Sequence, residues 1–367
     1  MIQWRRGVVV EVRSRWAGAV EYAVRLASGD VVRALGYVEV VGSLGPGTAV
    51  LLNTTALERG LGTGGLAIVV AAPDALPRPV DDVTAVRGHV VKARYTPSQT
   101  MVLGVDEQDS EHHAVLADAD DLAGLPVVVA DLHSALPAVL AGLRADAPSV
   151  RVAYVMTDGG ALPLDFSRTV AGLRSSGWLE ASITVGQAFG GDLEAVNVHT
   201  GLLAAHHVVG ADVVVVSQGP GNLGTGTRWG FSGTSAGEAV NAAGTLGGRP
   251  VCSLRISEAD PRERHRGVSH HSLTAYGRVS LVPADVPVPL LPGSVGALVL
   301  DQARALAATS AGRLTLHEVE TDGLDLVLRD VPVPLRTMGR GYDDDRAGFL
   351  GAAVAGRHVA RMLLAGR

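Results

Sequence analysis

Residues 255–271 carry the densest group of side chains in this sequence that can bind anions and transfer protons. The group comprises arginines, carboxylates and two adjacent histidines: Arg262, Arg264, Glu258, Asp260, His270 and His271. Guanidinium groups bind phosphate or carboxylate through paired hydrogen bonds, and carboxylates and imidazoles act as acids or bases. We therefore expect Arg262 and Arg264 to bind an anionic ligand. We expect Glu258 and His270 to be catalytic, the alternative being an exposed loop held by surface ion pairs.

Glycine-rich stretches follow three other apolar runs and are expected to take part in the same site. A glycine backbone can adopt positive φ angles, and its exposed N–H groups can surround an anion. The glycines expected to contact the ligand are Gly159, Gly160, Gly190, Gly191, Gly219, Gly221, Gly224 and Gly226. Gly219, Gly221 and Gly224 match the G-x-G-x-x-G fingerprint of dinucleotide-binding proteins. The next helical pattern begins only at residue 234, however, so the sequence disfavours NAD(P) and FAD, and a loop packed at the sheet edge is the alternative.

Acidic and histidine side chains beside other apolar runs offer proton transfer or metal binding. Asp158 and Asp192 each lie next to a glycine pair, and we expect them to be catalytic. Asp131, His133 and His271 are candidate ligands of a divalent metal, since oxygen and imidazole groups from separate elements form such sites. The sequence contains no diagnostic spacing such as H-E-x-x-H, so a metal is an option and not a requirement.

Lys92 is the only lysine in the chain, although lysines and arginines together number 31. A compact ammonium group is not interchangeable with a guanidinium group in a tight site. We therefore expect Lys92 to help neutralise the anionic ligand. The alternative is that one surface lysine survived by chance in a sequence that otherwise uses arginine.

Two patterns of apolar residues divide the chain. From residue 7 to about residue 103 the apolar residues recur with a period close to two, with turn signals between the runs, which predicts a small antiparallel β barrel or sandwich. After residue 125 apolar runs alternate with helical patterns, which predicts a doubly wound α/β domain with a mostly parallel sheet. We therefore expect a small β domain in residues 1–120 and an α/β domain in residues 121–367.

The α/β domain places the chemically active side chains after its strands. The predicted strands are residues 125–130, 150–156, 181–186, 212–216, 251–256 and 279–282. The predicted helices are residues 135–144, 166–175, 193–209, 234–243, 295–308 and 349–364. In such sheets ligands bind beyond the carboxyl ends of the strands, which meet at one edge. The sequence therefore predicts one shared site at these strand ends, facing the β domain.

Composition narrows the class of protein. Hydrophobic residues make up 47% and charged residues 19% of the 367 residues, as in globular proteins. The formal net charge of −6 gives no broad basic field, so general nucleic-acid binding is not expected. We find no signal-peptide pattern and no apolar stretch of membrane-spanning length, and the single cysteine cannot form an internal disulfide. These features predict a cytoplasmic protein without a membrane partner and leave a homo-oligomer open.

Several long motifs resemble one protein family along nearly the whole chain. They occupy residues 53–56, 61–65, 88–89, 94–99, 157–163, 186–197, 219–221, 224–227 and 260–274. The family that they resemble is bacterial and is catalogued only as a domain of unknown function. The resemblance implies a cytoplasmic bacterial protein, and it supplies no activity, substrate or catalytic residue.

The residues themselves point to an enzyme that binds a small anionic metabolite, phosphorylated or a nucleotide, at the strand ends. Hydrolysis or group transfer, with or without a divalent metal, fits a sequence that lacks a convincing redox fingerprint. The alternative is a non-catalytic sensor or scaffold that binds a metabolite or nucleotide through the same glycine loops. A purely structural role is the third option, and it predicts that the strand-end groups do not converge on one cavity.

Overall fold

The structure is a computed structural model that describes residues 2–61, 64–77, 82 and 86–366. Gly62 and Thr63, which belong to one of the motifs named above, lie outside the described residues. The chain forms two compact units. The first comprises Met1–Arg87, Tyr95–Gln99 and Asp165–Ala171, and the second comprises Gly88–Arg94, Thr100–Leu164 and Gly172–Arg367. The domain junction near residue 120 stays a prediction.

The first unit is built on a closed β barrel. Its strands are β1 (Trp4–Trp16), β2 (Ala19–Leu26), β3 (Val31–Tyr37), β4 (Ala49–Asn53) and β5 (Ala67–Ala71), with short helices α1 (Val38–Val41) and α2 (Thr55–Glu58). The barrel closes in the order β1-β2-β3-β5-β4. Among the pairs of described strands within this barrel, only β3–β5 is parallel. Val20, Tyr22 and Val24 of β2 belong to one buried core cluster, and they occupy alternate positions, which point side chains to one face of a strand. The predicted small β barrel is confirmed.

The remaining elements belong to the α/β part of the chain. The further strands are β6 (Val90–Lys92), β7 (Thr100–Val102), β8 (Pro126–Ala130), β9 (Val152–Thr157), β10 (Ala181–Thr184), β11 (Leu193–Glu194), β12 (Val213–Gln218), β13 (Arg249–Ser253), β14 (Ile256–Ser257), β15 (Gly267–Val268), β16 (Ala284–Pro289), β17 (Leu314–Val319), β18 (Arg336–Thr337) and β19 (Arg340–Gly341). The further helices are α3 (His113–Leu116), α4 (Leu136–Asp146), α5 (Arg168–Ser175), α6 (Val198–His207), α7 (Ser235–Thr245), α8 (His270–Thr274), α9 (Gly293–Ala308), α10 (Leu324–Arg329) and α11 (Arg346–Ala365).

An eight-stranded sheet forms the centre of the second unit, in the order β11-β10-β9-β12-β8-β13-β16-β17. All of its neighbouring strands run parallel. The central strands β8, β9 and β12 are buried along their whole length, because helices cover both faces of the sheet. The predicted α/β fold with a doubly wound, mostly parallel sheet is confirmed.

Helices α4 and α11 pack backbone to backbone through glycines. A Cβ atom at Gly142 would lie 1.9 Å from the carbonyl oxygen of Ala353. A Cβ atom at Gly356 would lie 1.9 Å from the carbonyl oxygen of Val139. Only glycine permits such an approach, and it brings α11 close enough to contact β13 and β16 as well as α4.

The structure corrects the predicted strand at residues 279–282. These residues follow a π-helical turn (Ala275–Val279), and the strand is β16. Three prolines, at positions 283, 287 and 289, remove N–H donors from this segment, and such a pattern ordinarily argues against a central strand. β17 is absent from the predicted strands because its sequence, Leu-Thr-Leu-His-Glu-Val, is half polar.

The predicted helix at residues 193–209 is divided into two elements. Its first residues form β11, which pairs in parallel with β10. The helix α6 begins at Val198, where the side chain of Asn197 accepts the backbone N–H of Thr200 at 3.0 Å. This N-cap explains the later start, since asparagine satisfies a backbone donor at a helix N-terminus. Among the described residues, no helix is both long and apolar enough to cross a membrane.

Candidate functional site

The candidate site lies beyond the carboxyl ends of β8, β12 and β13, which are neighbours in the large sheet. From β8 the chain runs to β9 on one side, and it later passes through β12 to β13 on the other side of β8. In open α/β sheets, such a reversal leaves a crevice between the loops in which ligands bind. The loops after these three strands begin at Asp131, Gly219 and Leu254.

A small pocket, which we name the strand-end pocket, lies at this edge. Its polar lining residues are Asp131, Ser134, Ser253, Arg255, Ser257, Thr337, Arg340 and Asp345. Asp131 is buried, and its Oδ2 accepts no hydrogen bond from any described residue. This oxygen lies 3.5 Å from Nδ1 of His271 and 4.0 Å from Nη1 of Arg255. A buried carboxylate oxygen without a donor is able to accept a hydrogen bond from a ligand.

His265, His270 and His271 form a compact group, which we name the histidine cluster. Their ring centroids lie between 4.4 and 5.0 Å apart. Ser269 fixes two of them, since its Oγ lies 2.7 Å from Nδ1 of His265 and accepts the backbone N–H of His271 at 3.2 Å. The ring of Phe231, from the loop after β12, stacks on His271 at a centroid distance of 3.9 Å. The cluster is therefore held by the loops after β12 and β13, the strands on either side of β8.

Burial and neighbouring positive charges favour the neutral forms of His265 and His270 in the histidine cluster. Burial is the largest cause, and together with nearby arginines and His271 it lowers the pKa of His265 to about 3 and that of His270 to about 4. Nη1 of Arg255 lies 3.1 Å from Nδ1 of His271, and because a guanidinium group only donates, this nitrogen accepts and carries no proton. Metal-bound histidines usually donate through their second nitrogen, so His271 is a poor metal ligand in this arrangement. The surroundings suit an anion better than a cation.

An open cleft, which we name the arginine cleft, borders the histidine cluster. Its lining includes Gly226, Arg228, Arg264, His270, Arg278 and Gln302. The three arginines are exposed, and none of them forms a hydrogen bond or ion pair with another described residue. Nε2 of His270 is buried and likewise has no hydrogen-bond partner in the part of the chain that the structure describes. Guanidinium groups and a neutral imidazole in one cleft can bind an anion and exchange a proton with it.

The structure brings together some of the residues predicted to form the site. Gly226, Arg264 and His270 line the arginine cleft. Asp131 lines the strand-end pocket, and His271 lies beside it. The expected convergence at the strand ends therefore holds for these residues of the loops after β8, β12 and β13.

Arg262 and Glu258, two predicted site residues in the loop after β13, make contacts that hold this loop in place. Arg262 forms a bidentate pair with Asp260, with Nε–Oδ1 and Nη2–Oδ2 distances of 2.9 and 2.8 Å. The hydrogen bonds from Arg262 hold the pKa of Asp260 far below its usual range. Oε1 of Glu258 accepts the backbone N–H of Ala347 at 3.0 Å, in the first turn of α11. The ligand-binding role of Arg262 and the catalytic role of Glu258 stay predictions.

The amides of Gly190 and Gly191 bind a carboxylate of the chain itself. Oε1 of Glu194 accepts the N–H of Gly190 at 2.6 Å and that of Gly191 at 3.3 Å. Oε2 of Glu194 lies 3.3 Å from Nζ of Lys92, which is fully buried and also donates to two backbone carbonyls at 2.8 and 2.9 Å. These four residues therefore form an internal ion-pair site, and the predicted contact of Gly190, Gly191 and Lys92 with a ligand stays a prediction.

The carboxylates of Asp158 and Asp192 are also engaged in contacts within the chain. Oδ2 of Asp158 accepts the backbone N–H of Gln187 at 2.8 Å. Asp192 accepts hydrogen bonds from Nη2 of Arg174 at 2.9 Å and from Oγ of Ser182 at 2.7 Å. Neither aspartate lines the strand-end pocket or the arginine cleft, and their catalytic roles stay predictions.

The glycines after β9 and β12 permit two loops to pack closely. A Cβ atom at Gly160 would lie 2.1 Å from the carbonyl oxygen of Gly219, and one at Gly159 would lie 2.6 Å from a side-chain oxygen. Gly221, with φ of 97°, and Gly224 lie farther along the second loop, in exposed positions. Close packing explains Gly159, Gly160 and Gly219 without a ligand, so the predicted contact of these glycines with an anion stays a prediction.

The predicted metal ligands Asp131, His133 and His271 do not form one of the compact ligand groups. Nδ1 of His133 lies 2.9 Å from the hydroxyl of Tyr154, and burial lowers the pKa of His133 to about 4. Within the described residues, two groups bring three such ligand atoms within 4.8 Å of one another. One is the histidine cluster, and the other lies elsewhere on the sheet. A metal at the predicted position stays a prediction.

Sequence reasoning did not single out three residues of the site. His265 lies within the arginine-rich segment of residues 255–271, so its neighbours gave a usable signal. Arg228 lies in the glycine-rich loop after β12, where a lone charge was the available signal. Arg278 belongs to the π-helical turn, and no local pattern of the sequence connects it with the other two.

The fold and the site define a class: an α/β protein with a small β barrel, whose parallel strand ends bring imidazole and guanidinium groups together. The chain belongs to the family described as "Protein of unknown function (DUF3866)", whose family model matches residues 33–356, nearly the full length. This match confirms the resemblance to a family of unknown function. No curated protein matches the chain.

Proposed function

We propose that the protein is an enzyme that binds a small anionic metabolite, carrying a phosphate or a similar group, in the arginine cleft and hydrolyses or transfers a group at His270. The observation that carries this proposal is the lining of that cleft. Three exposed arginines without a partner among the described residues, Arg228, Arg264 and Arg278, border the same space as His270. Unpaired cations repel one another, and an anion between them removes that repulsion.

The arginines are expected to orient the anion, and His270 is expected to transfer a proton. The low pKa of His270 results from burial first and from His271 and nearby arginines second. A bound anion opposes the arginine charge, so it raises the pKa of His270 toward neutral pH. The imidazole then becomes a more effective proton acceptor. The stacked ring of Phe231 and the hydrogen bond from Arg255 keep His271 in place beside it.

Isothermal titration of the full chain with inorganic phosphate tests the binding step. Charge-assisted hydrogen bonds contribute roughly 1.5–3 kcal/mol each, so R264Q/R278Q should weaken phosphate binding by at least about tenfold. R336Q is the matched control, since Arg336 is exposed, has no partner among the described residues and lies outside the cleft lining. Equal affinity in R264Q/R278Q and R336Q would refute the assignment of the cleft.

Phosphate release from a panel of nucleotides and sugar phosphates tests the catalytic step. H270Q should lower turnover of any substrate found by roughly 10²–10⁴-fold while phosphate binding stays within a few-fold of the wild type. The non-catalytic sensor remains the alternative, and it predicts ligand binding with no turnover in the wild type. A divalent metal, if one assists the reaction, has to increase this turnover. The cytoplasmic location also remains a prediction.

A further inference from the structure

A second compact group of ligand atoms lies on the same sheet, at Asp285, His317 and His358. Asp285 belongs to β16, His317 to β17 and His358 to α11. Nε2 of His317 lies 3.0 Å from Oδ1 of Asp285, and Nε2 of His358 lies 3.1 Å from Oδ2. The two imidazole ring centroids are 4.3 Å apart. We name these three residues the Asp285 group.

The geometry of the Asp285 group fits a tetrahedral metal ion. Zinc binds histidine nitrogen and carboxylate oxygen at about 2.0–2.1 Å, which places tetrahedral ligand atoms about 3.3 Å from one another. The oxygen–nitrogen distances of 3.0 and 3.1 Å, each to a different oxygen of Asp285, are close to this separation. One ligand atom from each of the three residues lies within 4.8 Å of the other two. Two imidazoles and one carboxylate are also a common set of protein ligands for such metals.

The charges around the Asp285 group favour a cation, in contrast to those around the histidine cluster. Among the described residues, the ion-pair partners of Asp285 are the two imidazoles alone, with no arginine or lysine. In the histidine cluster, Arg255 instead donates to an imidazole nitrogen. The group therefore combines one carboxylate with two imidazoles, a net negative set when the imidazoles are neutral, as metal binding requires.

An ion can reach this group, and it would connect three elements of the fold. The side chains of His317 and Asp285 are 36% and 23% exposed, whereas that of His358 is 11% exposed. The exposed side leaves space for a water molecule as a fourth ligand, as in open zinc sites. Asp285 is the second residue of β16 and His317 is the fourth residue of β17, so neither lies at the carboxyl ends of the strands, where the candidate active site is.

We propose that Asp285, His317 and His358 form a site for a divalent transition-metal ion of the zinc class, which fastens the C-terminal helix α11 to the edge of the sheet. The proposal does not depend on the function proposed for the arginine cleft. The alternative is a carboxylate that simply accepts hydrogen bonds from two imidazole N–H groups, with no affinity for a metal. The two differ in their response to zinc.

Zinc titration of the chelator-treated, full-length protein tests the proposal. The wild type should bind one zinc ion at the Asp285 group and should unfold at a higher temperature when zinc is present. H317Q/H358Q keeps amide donors for Asp285 but removes two ligands. Since even an outer-shell change costs roughly 10–100-fold in metal affinity, this variant should bind zinc at least about 100-fold more weakly and should lose the thermal shift.

H270Q is the control, because it removes a ligand from the histidine cluster and leaves the Asp285 group intact. It should bind zinc as the wild type does. If H317Q/H358Q does not fold, H317Q alone changes the most exposed member of the group and should still weaken binding by at least about tenfold. Unchanged zinc affinity in H317Q/H358Q or in H317Q, loss of binding in H270Q alone, or no binding by the wild type would each overturn the proposal.

Discussion

Replacement of Lys92 by methionine tests whether the only lysine holds the fold or serves a ligand. Nζ of Lys92 is fully buried and contacts Oε2 of Glu194 and the carbonyl oxygens of Ala188 and Ala195. K92M keeps the length of the side chain but removes this donor to the two carbonyl oxygens and leaves Oε2 of Glu194 with the hydroxyl of Thr184 as its donor, in a place that water does not reach. Burial raises the pKa of Glu194, which the charge of Lys92 lowers in turn, so loss of Lys92 removes the main stabiliser of that carboxylate.

The expected loss of stability is large. Removing one partner of a buried ion pair ordinarily costs about 3–5 kcal/mol, because the other charge remains desolvated. K92M should therefore lower the free energy of unfolding by about this amount. The variant K92M/E194Q removes both charges, so its cost should fall short of the sum of the single changes by at least about 1 kcal/mol.

Urea unfolding followed by circular dichroism measures these differences, with isothermal titration of phosphate carried out on the same samples. R94M is the matched control, since Arg94 is an exposed cation two residues along the chain and should change stability by no more than about 0.5 kcal/mol. The reasoning would be refuted if K92M lost less than about 1 kcal/mol, or if the costs of the single variants were additive. A K92M variant that is stable but has lost phosphate affinity would instead support the ligand role predicted from the sequence.

Two further predictions concern the packing of each unit. Burial, with a smaller contribution from Glu39, raises the pKa of Asp165 to about 6, so the folded state binds this proton more tightly than the unfolded state. The free energy of unfolding should therefore fall as pH rises from about 4 to 6. D165N should flatten this dependence and stabilise the protein at pH 7 by about 1–3 kcal/mol, measured by urea unfolding across pH. A pH profile of D165N identical to that of the wild type would contradict this prediction. G356A places a methyl group where a Cβ atom would lie 1.9 Å from the carbonyl oxygen of Val139. This variant should destabilise the protein by about 1–3 kcal/mol in thermal unfolding. The control G45A adds its methyl group in open space and should have little effect. Equal melting temperatures for the two glycine variants would show that α4 and α11 can separate without cost.

Much of the architecture could be predicted because hydrophobic patterning is a local property of the chain. The continuous apolar runs at β8, β9 and β12 indicated strands buried on both faces, and the alternation of short runs indicated the barrel. The predictions for individual segments were wrong where the local sequence pattern and the tertiary environment favour different structures. The prolines of β16 argue against a strand, but this segment forms one because it pairs with its neighbours in the sheet. β11 is a short strand that is stabilised by pairing with β10.

The candidate site could be predicted only in part. The order of strands in the chain predicts that the loops with Asp131, Arg264 and His270 lie at one edge of a parallel sheet. In the structure Asp131 lines the strand-end pocket and lies beside His271, whereas Arg264 and His270 line the arginine cleft, so a single shared site stays a prediction. The sequence could not show which polar groups are already occupied. Gly190 and Gly191 resemble an anion-binding loop, and the carboxylate that their amides bind is that of Glu194, a few residues farther along the chain.

The sequence by itself determined the period of its apolar residues, and with it the barrel, the parallel sheet and the edge at which reactive loops gather. Only the tertiary structure decided which cations remain unpaired. Arg262 and Arg264 are two residues apart and chemically identical, yet Asp260 engages the first, and the second has no partner among the described residues and lines the cleft. The Asp285 group likewise unites residues from β16, β17 and α11. Pairing depends on distances of a few ångströms between segments far apart in the chain, and these distances are fixed only when the sheet and its helices pack.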